Sequence, residues 1–496
     1  MEKIRTRFAP SPTGFLHIGG MRTALFGFLY ARHNNGNFIL RIEDTDRTRL
    51  VEGALEDIIA SLKWIGIEWD EGPDIGGPYA PYRQSERKNI YRNMAFDLIK
   101  TGHAYKCFCT PDRLKMLREN SSSENQKKIE SAQGYDRHCR NLDGKDIKDL
   151  EEKAVPFVIR LKIPEEDRTV FQDSIRGEII TKNVVLEDII LLKSDGFPTY
   201  HLANVVDDHL MSITHVIRGD EWISSTPVHV ILYNAFGWKR PAFAHAPVIL
   251  SPEGGKLSKR HGATMVREFM QKGYLKEALL NFLALLGWSL DDKTEFFSMD
   301  DLVKQFELHK INKAPANFSY EKLDWFNGMY IRKMGTEELY DLILPFLIEG
   351  NLLKKEEIGS KKEYILKILP LIQERLKYLS DAVGLTCFFF DEHFKIREKQ
   401  DLIPKKSTRE DALKILDMSI SYLRALEPFQ ISDIEKSLRE MVTALEMKIG
   451  QVFMTIRIAI TGTRVSPGLF ETIFVLGKDR VMNRLTGARE ILLRMG

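Results

Sequence analysis

Near its start the chain passes from a strand-like run, Ile4–Ala9, through Ser11-Pro12-Thr13-Gly14-Phe15-Leu16-His17-Ile18-Gly19-Gly20 into a helical apolar period carried by Leu25, Phe28 and Leu29. A strand that turns through glycines directly into a helix is how a parallel α/β layer begins. The turn also sets His17, Gly19 and Gly20 at a helix N-terminus, where unpaired N–H groups and the macrodipole attract anions. A second segment, Lys256-Leu257-Ser258-Lys259-Arg260, follows Gly254 and Gly255 and packs cations and a hydroxyl into what reads as a mobile loop able to close over a triphosphate. Singly, a Gly-Gly beside a His is an ordinary turn and a basic pentamer an ordinary solvated surface. Together, in this order, they describe a site for ATP phosphates split between two distant parts of the chain.

The pattern between them is consistent with such a split. Strand and helix signals alternate over Ile4–Ala9, 20–34, Phe38–Ile42, Glu52–Leu62 and Glu86–Lys100, which predicts a parallel sheet with helices on its faces. From Cys107 to about Leu192 the alternation breaks. A polar stretch, Ser121–Lys128, reads as a loop, and β-rich runs follow at Phe157–Ile163 and Glu187–Lys193, so this stretch reads as an insertion. The α/β pattern resumes with His215–Arg218, a helix over 223–236 and Pro247–Leu250. After Gly262 the period is almost entirely helical, as in Leu275–Leu286 and Leu371–Leu379.

At 496 residues the chain is too long for one core. A net charge of +2 excludes a globally basic nucleic-acid binder, so any RNA contact must use local patches. No apolar run approaches the ~18 residues that cross a bilayer, and the start shows no apolar signal region. A cytoplasmic protein without a membrane partner is expected. Its four cysteines are too few for a disulfide framework and read as thiols or metal ligands. Cys107 and Cys109 stand two apart in a strand-like run and so point to one face, and Cys139 follows the polar loop. Three thiolates and a fourth group would close a tetrahedral structural zinc site. Cys387, beside Phe388 in an apolar run, reads as core.

The two phosphate segments resemble the HIGH and KMSKS signatures of class I aminoacyl-tRNA synthetases. Further blocks, Arg7–Gly14, Leu40–Asp46, Ser194–Tyr200, Val205–Asp208, Arg218–Trp222 and Lys256–Gly262, recur in the order seen in bacterial-type glutamyl-tRNA synthetases, which the whole chain resembles. The resemblance implies a Rossmann-type class I catalytic domain (1–106 and 193–262) with an inserted α+β acceptor-end-binding domain (107–192). A helical stem-contact domain (263–335) and a helical anticodon-binding region (336–496) would follow. Lys322–Gly328, Ile456–Gly462 and Gly468–Ile473 carry the likeness of this last part, in which Phe470, Ile473 and Leu476 read as core.

The implied reaction joins L-glutamate to tRNA(Glu) with ATP and Mg²⁺, on a monomer. A non-discriminating variant would also charge tRNA(Gln), and a non-catalytic tRNA-binding protein is the remote alternative. Glutamate carries two carboxylates and an ammonium, so its pocket needs guanidinium forks and a fixed carboxylate. By resemblance Arg7, Tyr200 and Arg218 hold the γ-carboxylate, Asn204 faces the α-carboxylate, and Ser11 with Glu43 takes the ammonium. His17, Gly19, Gly20, Lys256, Ser258 and Lys259 serve the phosphates, with His17, Lys256 and Lys259 catalytic. Glu221 and Trp222 flank the adenosine. Tyr200 and Asn204, four apart, would share a helix face. The family often places a His two residues after the third zinc-site Cys, where this chain has Asn141. Related sequences with a Tyr four residues before that Cys can use its phenolate instead, so the resemblance implies Tyr135 as the fourth ligand beside Cys107, Cys109 and Cys139, with His138 as its substitute.

Overall fold

A computed structural model of the chain describes residues 3–121, 135–165, 168–255, 257, 262–391, 394–396 and 398–495. These residues form two compact units, one of 1–271 with 276–320 and one of 272–275 with 321–496.

The first unit begins as the sequence predicts. β1 (Arg5–Phe8), α1 (Ile18–His33) and β2 (Asn37–Leu40) form a β-α-β turn in which β1 and β2 pair in parallel, Arg5 opposite Asn37 and Phe8 opposite Leu40. α1 is buried almost all round, through Ile18, Met21, Leu25, Phe26 and Leu29. An apolar stripe on every side marks a helix packed from all directions. α2 (Ala54–Ile65) and α3 (Lys88–Lys100) follow, then β3 (Ala104–Cys107), α4 (Pro111–Ser121), α5 (Gly144–Glu152) and β4 (Val158–Leu161). Beyond Ser121 the expected polar loop lies outside the described residues.

Next come β5 (Arg168–Asp173), β6 (Gly177–Lys182) and β7 (Ile190–Leu192), then α6 (Tyr200–Leu210), β8 (His215–Gly219), α7 (Thr226–Ala235) and β9 (Ala242–Ala246). β3, β4 and β7 make one antiparallel sheet. A second sheet runs in the order β6-β5-β9-β8, with β8 parallel to β9. The β5–β6 hairpin lies within 107–192, yet Asp173 at the end of β5 pairs in parallel with Phe243 of β9. β10 (Ile249–Leu250), α8 (Val266–Lys272), α9 (Lys276–Leu285), α10 (Met299–Gln305) and β11 (Ala316–Asn317) complete this part of the chain, β10 pairing with β11.

The second unit is built from α11 (Tyr320–Lys333, from Glu321 on), α12 (Thr336–Glu349), α13 (Ile358–Gln373), α14 (Asp381–Phe390), α15 (Arg409–Arg424), α16 (Ile431–Leu445), α17 (Ile449–Thr461), α18 (Leu469–Leu476) and α19 (Lys478–Arg494). Ile473 and Leu476 are core, and Phe470 packs half-buried against them. Two expectations fail here. The apolar period over Leu371–Leu379 is only the end of α13 and a turn, in which buried Leu376 and Leu379 anchor the chain while the Asp381 carboxylate accepts from the Lys377 and Tyr378 amides. Cys387 is exposed, although Phe388 and Phe389 beside it are buried. One residue along a helix turns a side chain by ~100°, enough to carry it off the apolar face.

Candidate active site and thiol cluster

α1 starts at His17, whose extended backbone makes it the N-cap and whose Nδ1 accepts from the Gly19 amide at 3.0 Å. An imidazole thus replaces the usual Ser or Asp cap. On either side of His17 the backbone is tied to the chain just beyond the lysine segment: the Ile18 amide donates to Thr264 O at 2.9 Å and the Val266 amide to Leu16 O at 2.9 Å. Ahead of that segment, Gly254 and Gly255 take left-handed φ values of 83° and 78°, which glycine adopts without a Cβ penalty. The chain that follows the lysine segment, far from His17 in sequence, is thus joined to the start of α1. Leu257 is buried, while Lys256, Ser258 and Lys259 lie outside the described residues.

Beside the α1 start opens a cavity of about 240 Å³ lined by Arg7, Ser11, Gly19, Gly20, Glu43, Tyr200, Asn204, Arg218, Glu221 and Trp222, together with Thr23 and Ile217, which sequence reasoning did not single out. His17 stands outside this lining. The cavity collects the C-terminal ends of β1 and β8, the start of α1 and one face of α6, which is where open parallel sheets bind ligands. α6 begins at Tyr200 with Thr199 as N-cap, so Tyr200, Asn204 and Asp208 repeat every four residues along one face. Tyr200 packs against Trp222 at 4.4 Å between ring centroids, the planes tilted by 33°.

The floor is a buried ion lattice. Arg7 Nε donates to Asp208 Oδ1 at 3.0 Å, and Arg41 Nη1 donates to the same oxygen at 2.7 Å. Arg41 Nη2 and Asn204 Nδ2 both donate to Glu43 Oε1, at 2.9 and 3.0 Å. Arg87 and Tyr91 donate to Asp207 at 2.8 and 2.7 Å. Burial disfavours the Asp208 carboxylate, yet Arg7 and Arg41 outweigh it and hold its pKa below the usual range. At Glu43 burial wins and pushes the carboxyl up, against the pull of Arg41 and Arg7. A cationic group entering the cavity would oppose that shift and favour the Glu43 carboxylate.

Arg218 differs from Arg7 and Arg41. Its described partners are neutral: Nη1 donates to Tyr200 Oη at 3.0 Å, Nη2 to Thr226 Oγ1 at 2.8 Å and Nε to His245 Nε2 at 3.1 Å. The acidic residues Asp207 and Asp208 stand in a block that sequence inspection matched without giving them a role. Arg41, within the Leu40–Asp46 block, likewise had no assigned role. Asp173 and His245 had no local signal at all.

The thiols converge as the strand spacing predicts. The sulfurs of Cys107, Cys109 and Cys139 all lie within 4.8 Å of one another. Tyr135 Oη sits 3.2 Å from Cys107 Sγ and 3.9 Å from Cys109 Sγ, and it accepts from the Cys139 amide at 3.1 Å. Tyr135 is buried with the thiols, and the Arg160 guanidinium lies 3.9 Å from its ring centroid. His138 is exposed. Three clustered sulfurs with a phenol oxygen in contact form a donor set that fits a tetrahedral structural zinc.

Comparison with known proteins gives the family. Residues 3–325 match the class I tRNA synthetase (E and Q) catalytic-domain family, and 338–489 match an anticodon-binding-domain family. The chain is 48% identical over 491 residues to the glutamate–tRNA ligase of Dehalococcoides mccartyi, covering 98% of each, and 47% identical over 490 residues to that of Borrelia duttonii, covering 99% of this chain and 96% of the relative. A glutamate–tRNA ligase from Elizabethkingia meningosepticum, crystallised with its amino acid, superposes with a TM-score of 0.84 at 39% identity, covering 99% of both chains. With these likenesses spanning both units, the chain belongs to the glutamate–tRNA ligases, a family of class I aminoacyl-tRNA synthetases.

Proposed function

We propose that this chain is a glutamate–tRNA ligase that activates L-glutamate with ATP and transfers it to the terminal adenosine of tRNA(Glu). The observation that carries the reading is the cavity itself, which joins an uncompensated guanidinium, Arg218, to a carboxylate, Glu43, beside the glycine-rich start of α1. That charge pattern suits a ligand with an anion at one end and an ammonium at the other.

In the proposed reaction an α-carboxylate oxygen of glutamate attacks the α-phosphorus of ATP. The new P–O bond forms as the bond to pyrophosphate breaks, and no protein nucleophile is needed. Arg7, Tyr200 and Arg218 hold the γ-carboxylate, Asn204 faces the α-carboxylate, and Ser11 and Glu43 take the ammonium. Gly19, Gly20 and His17 meet one side of the triphosphate, Lys256, Ser258 and Lys259 the other, and Glu221 and Trp222 flank the adenosine. Mg²⁺ bound to the phosphates would neutralise part of their charge. The tRNA 2′-OH then attacks the adenylate carbonyl and AMP leaves.

Residues 107–192 would receive the acceptor end, 263–335 the stem and 336–496 the anticodon. Cys107, Cys109, Tyr135 and Cys139 would hold one structural Zn²⁺. The working form in this reading is a cytoplasmic monomer. ATP–pyrophosphate exchange with and without tRNA tests the activity: exchange that depends on tRNA is expected, and no exchange under either condition would remove the enzymatic reading. Aminoacylation of purified tRNA(Glu) and tRNA(Gln) decides whether the enzyme discriminates between them.

A further inference from the structure

Behind the cavity wall, Arg218 is the end of a buried polar chain that neither the sequence motifs nor the family assignment explains. His245 Nδ1 lies 2.6 Å from Asp173 Oδ2, and His245 Nε2 lies 3.1 Å from Arg218 Nε. Asp173, His245 and Thr226 are at most 1% exposed. Asp173 stands on β5 and His245 on β9, brought together where these strands pair.

We propose that Asp173 and His245 are positioning residues for glutamate recognition: Asp173 fixes His245 in the tautomer whose Nε2 lone pair holds Arg218 as an unpaired cation facing the γ-carboxylate. The proposal rests on the reading of Arg218 as a substrate-binding residue.

The protons can be placed from the contacts. An ionised aspartate only accepts, so the Asp173 contact requires the proton on His245 Nδ1. Nε2 is then a lone pair facing two groups, Arg218 Nε and the Thr226 hydroxyl, both at 3.1 Å; the hydroxyl proton goes to the nearer Trp222 O at 2.8 Å, which leaves Nε2 to accept from Arg218 Nε. Thr226 Oγ1 donates to Trp222 O at 2.8 Å and so accepts from Arg218 Nη2. On the other side His229 Nδ1 faces Arg218 Nη1 at 3.5 Å, and His201 backs His229 at 3.1 Å. Burial keeps His201 and His229 neutral, with Arg218 adding to the effect. Every acceptor around Arg218 is thus neutral. The guanidinium is oriented on several sides without being neutralised, and Nη2 keeps a further N–H for an anion. Glutamine, with no charge to offer, would leave that cation uncompensated in a buried site.

Asp173 also dictates how a substitution would behave. Its Oδ1 accepts from the backbone amides of Ile175 at 2.9 Å and Arg176 at 2.8 Å. In Asp173→Asn the amide oxygen must stay in that position, so the NH₂ group turns toward His245. His245 then accepts at Nδ1, moves its proton to Nε2 and presents N–H to N–H at Arg218.

The test uses full-length protein with tRNA(Glu). Asp173→Asn and His245→Ala should each raise the glutamate KM by ~10-fold or more, the size expected for losing one hydrogen bond to a charged group, with the ATP KM held within about twofold. His245→Gln, whose amide oxygen can replace Nε2 as acceptor, should recover most of the loss. In the His245→Gln background Asp173→Asn should add little. Imidazole ¹⁵N spectra should report the Nδ1–H tautomer for His245 and its exchange for Nε2–H in Asp173→Asn. Arg218→Ala is measured alongside. If Arg218→Ala cripples glutamate use while Asp173→Asn and His245→Ala keep the native KM, the relay is wrong and the pocket stands. If Arg218→Ala keeps the native KM, the pocket assignment itself is wrong. Equal losses in ATP and glutamate KM, without rescue by glutamine, would reduce both residues to structural ones.

Discussion

Asp208 and Arg41 meet at 2.7 Å with side chains 2% and 0% exposed, and the same aspartate oxygen also accepts from Arg7. The ion lattice beneath the cavity is therefore anchored on an α6 residue that stands outside the cavity lining.

Asp208→Ala should destabilise the first unit by about 3–5 kcal/mol, because it strands the buried Arg7 guanidinium and takes one of two hydrogen-bonded carboxylates from Arg41 rather than removing a matched pair. Urea unfolding followed by tryptophan fluorescence measures this. A loss below about 1 kcal/mol would mean that solvent or another carboxylate reaches Arg7.

Lys259→Ala should leave glutamate binding nearly intact and slow the activation step by ~10²-fold or more, since the lysine would meet charge developing on the phosphates. Single-turnover adenylate formation reads the rate. A raised glutamate KM at unchanged turnover would move Lys259 out of the phosphate site.

Protein prepared without chelators should carry about one zinc per chain, and chelation should weaken acceptor-end binding while ATP binding persists. Tyr135→Phe should release zinc more readily and His138→Ala should not. Elemental analysis with a colorimetric release assay ranks the two; the reverse order would make His138 the fourth ligand.

Acidification should loosen the first unit through His201, whose pKa burial, aided by Arg218, lowers from 6.5 to about 4. Below pH 6.5 the unfolded imidazole takes a proton that the folded one refuses until about pH 4. Its stability contribution is complete above 6.5 and lost as the pH falls through that window. Melting temperatures across the window should fall less steeply in His201→Gln than in the wild type; parallel curves would exclude His201 as a source of the loss.

The first β-α-β turn was legible because period and capping agree: β1, α1 and β2 fall within a few residues of their expected bounds. The cavity lining was legible through motif order, which ties Arg7, Glu43, Tyr200 and Arg218 together without needing their coordinates. The thiol cluster could be read from the two-residue strand spacing, although the choice of Tyr135 needed the family pattern. What supports Arg218 could not be read. Asp173 and His245 are 72 residues apart, each an ordinary strand residue locally, and only the parallel pairing of β5 with β9 makes them neighbours. The false helix over Leu371–Leu379 has a simple cause. Apolar spacing records what is buried, and a packed turn can bury Leu376 and Leu379 as a helix does.

The β5–β6 hairpin has a consequence for how such a chain can be rebuilt. A segment inserted into a domain is ordinarily a cassette, removable at its ends and exchangeable between relatives. Here 107–192 is not one, because β5 is hydrogen-bonded to β9 inside a shared sheet. Excision would expose the β9 edge to pairing with other chains and would remove the carboxylate behind His245. Any transplant of this segment must carry an aspartate in register with Phe243, or it will leave His245 without the carboxylate that now lies 2.6 Å from its Nδ1.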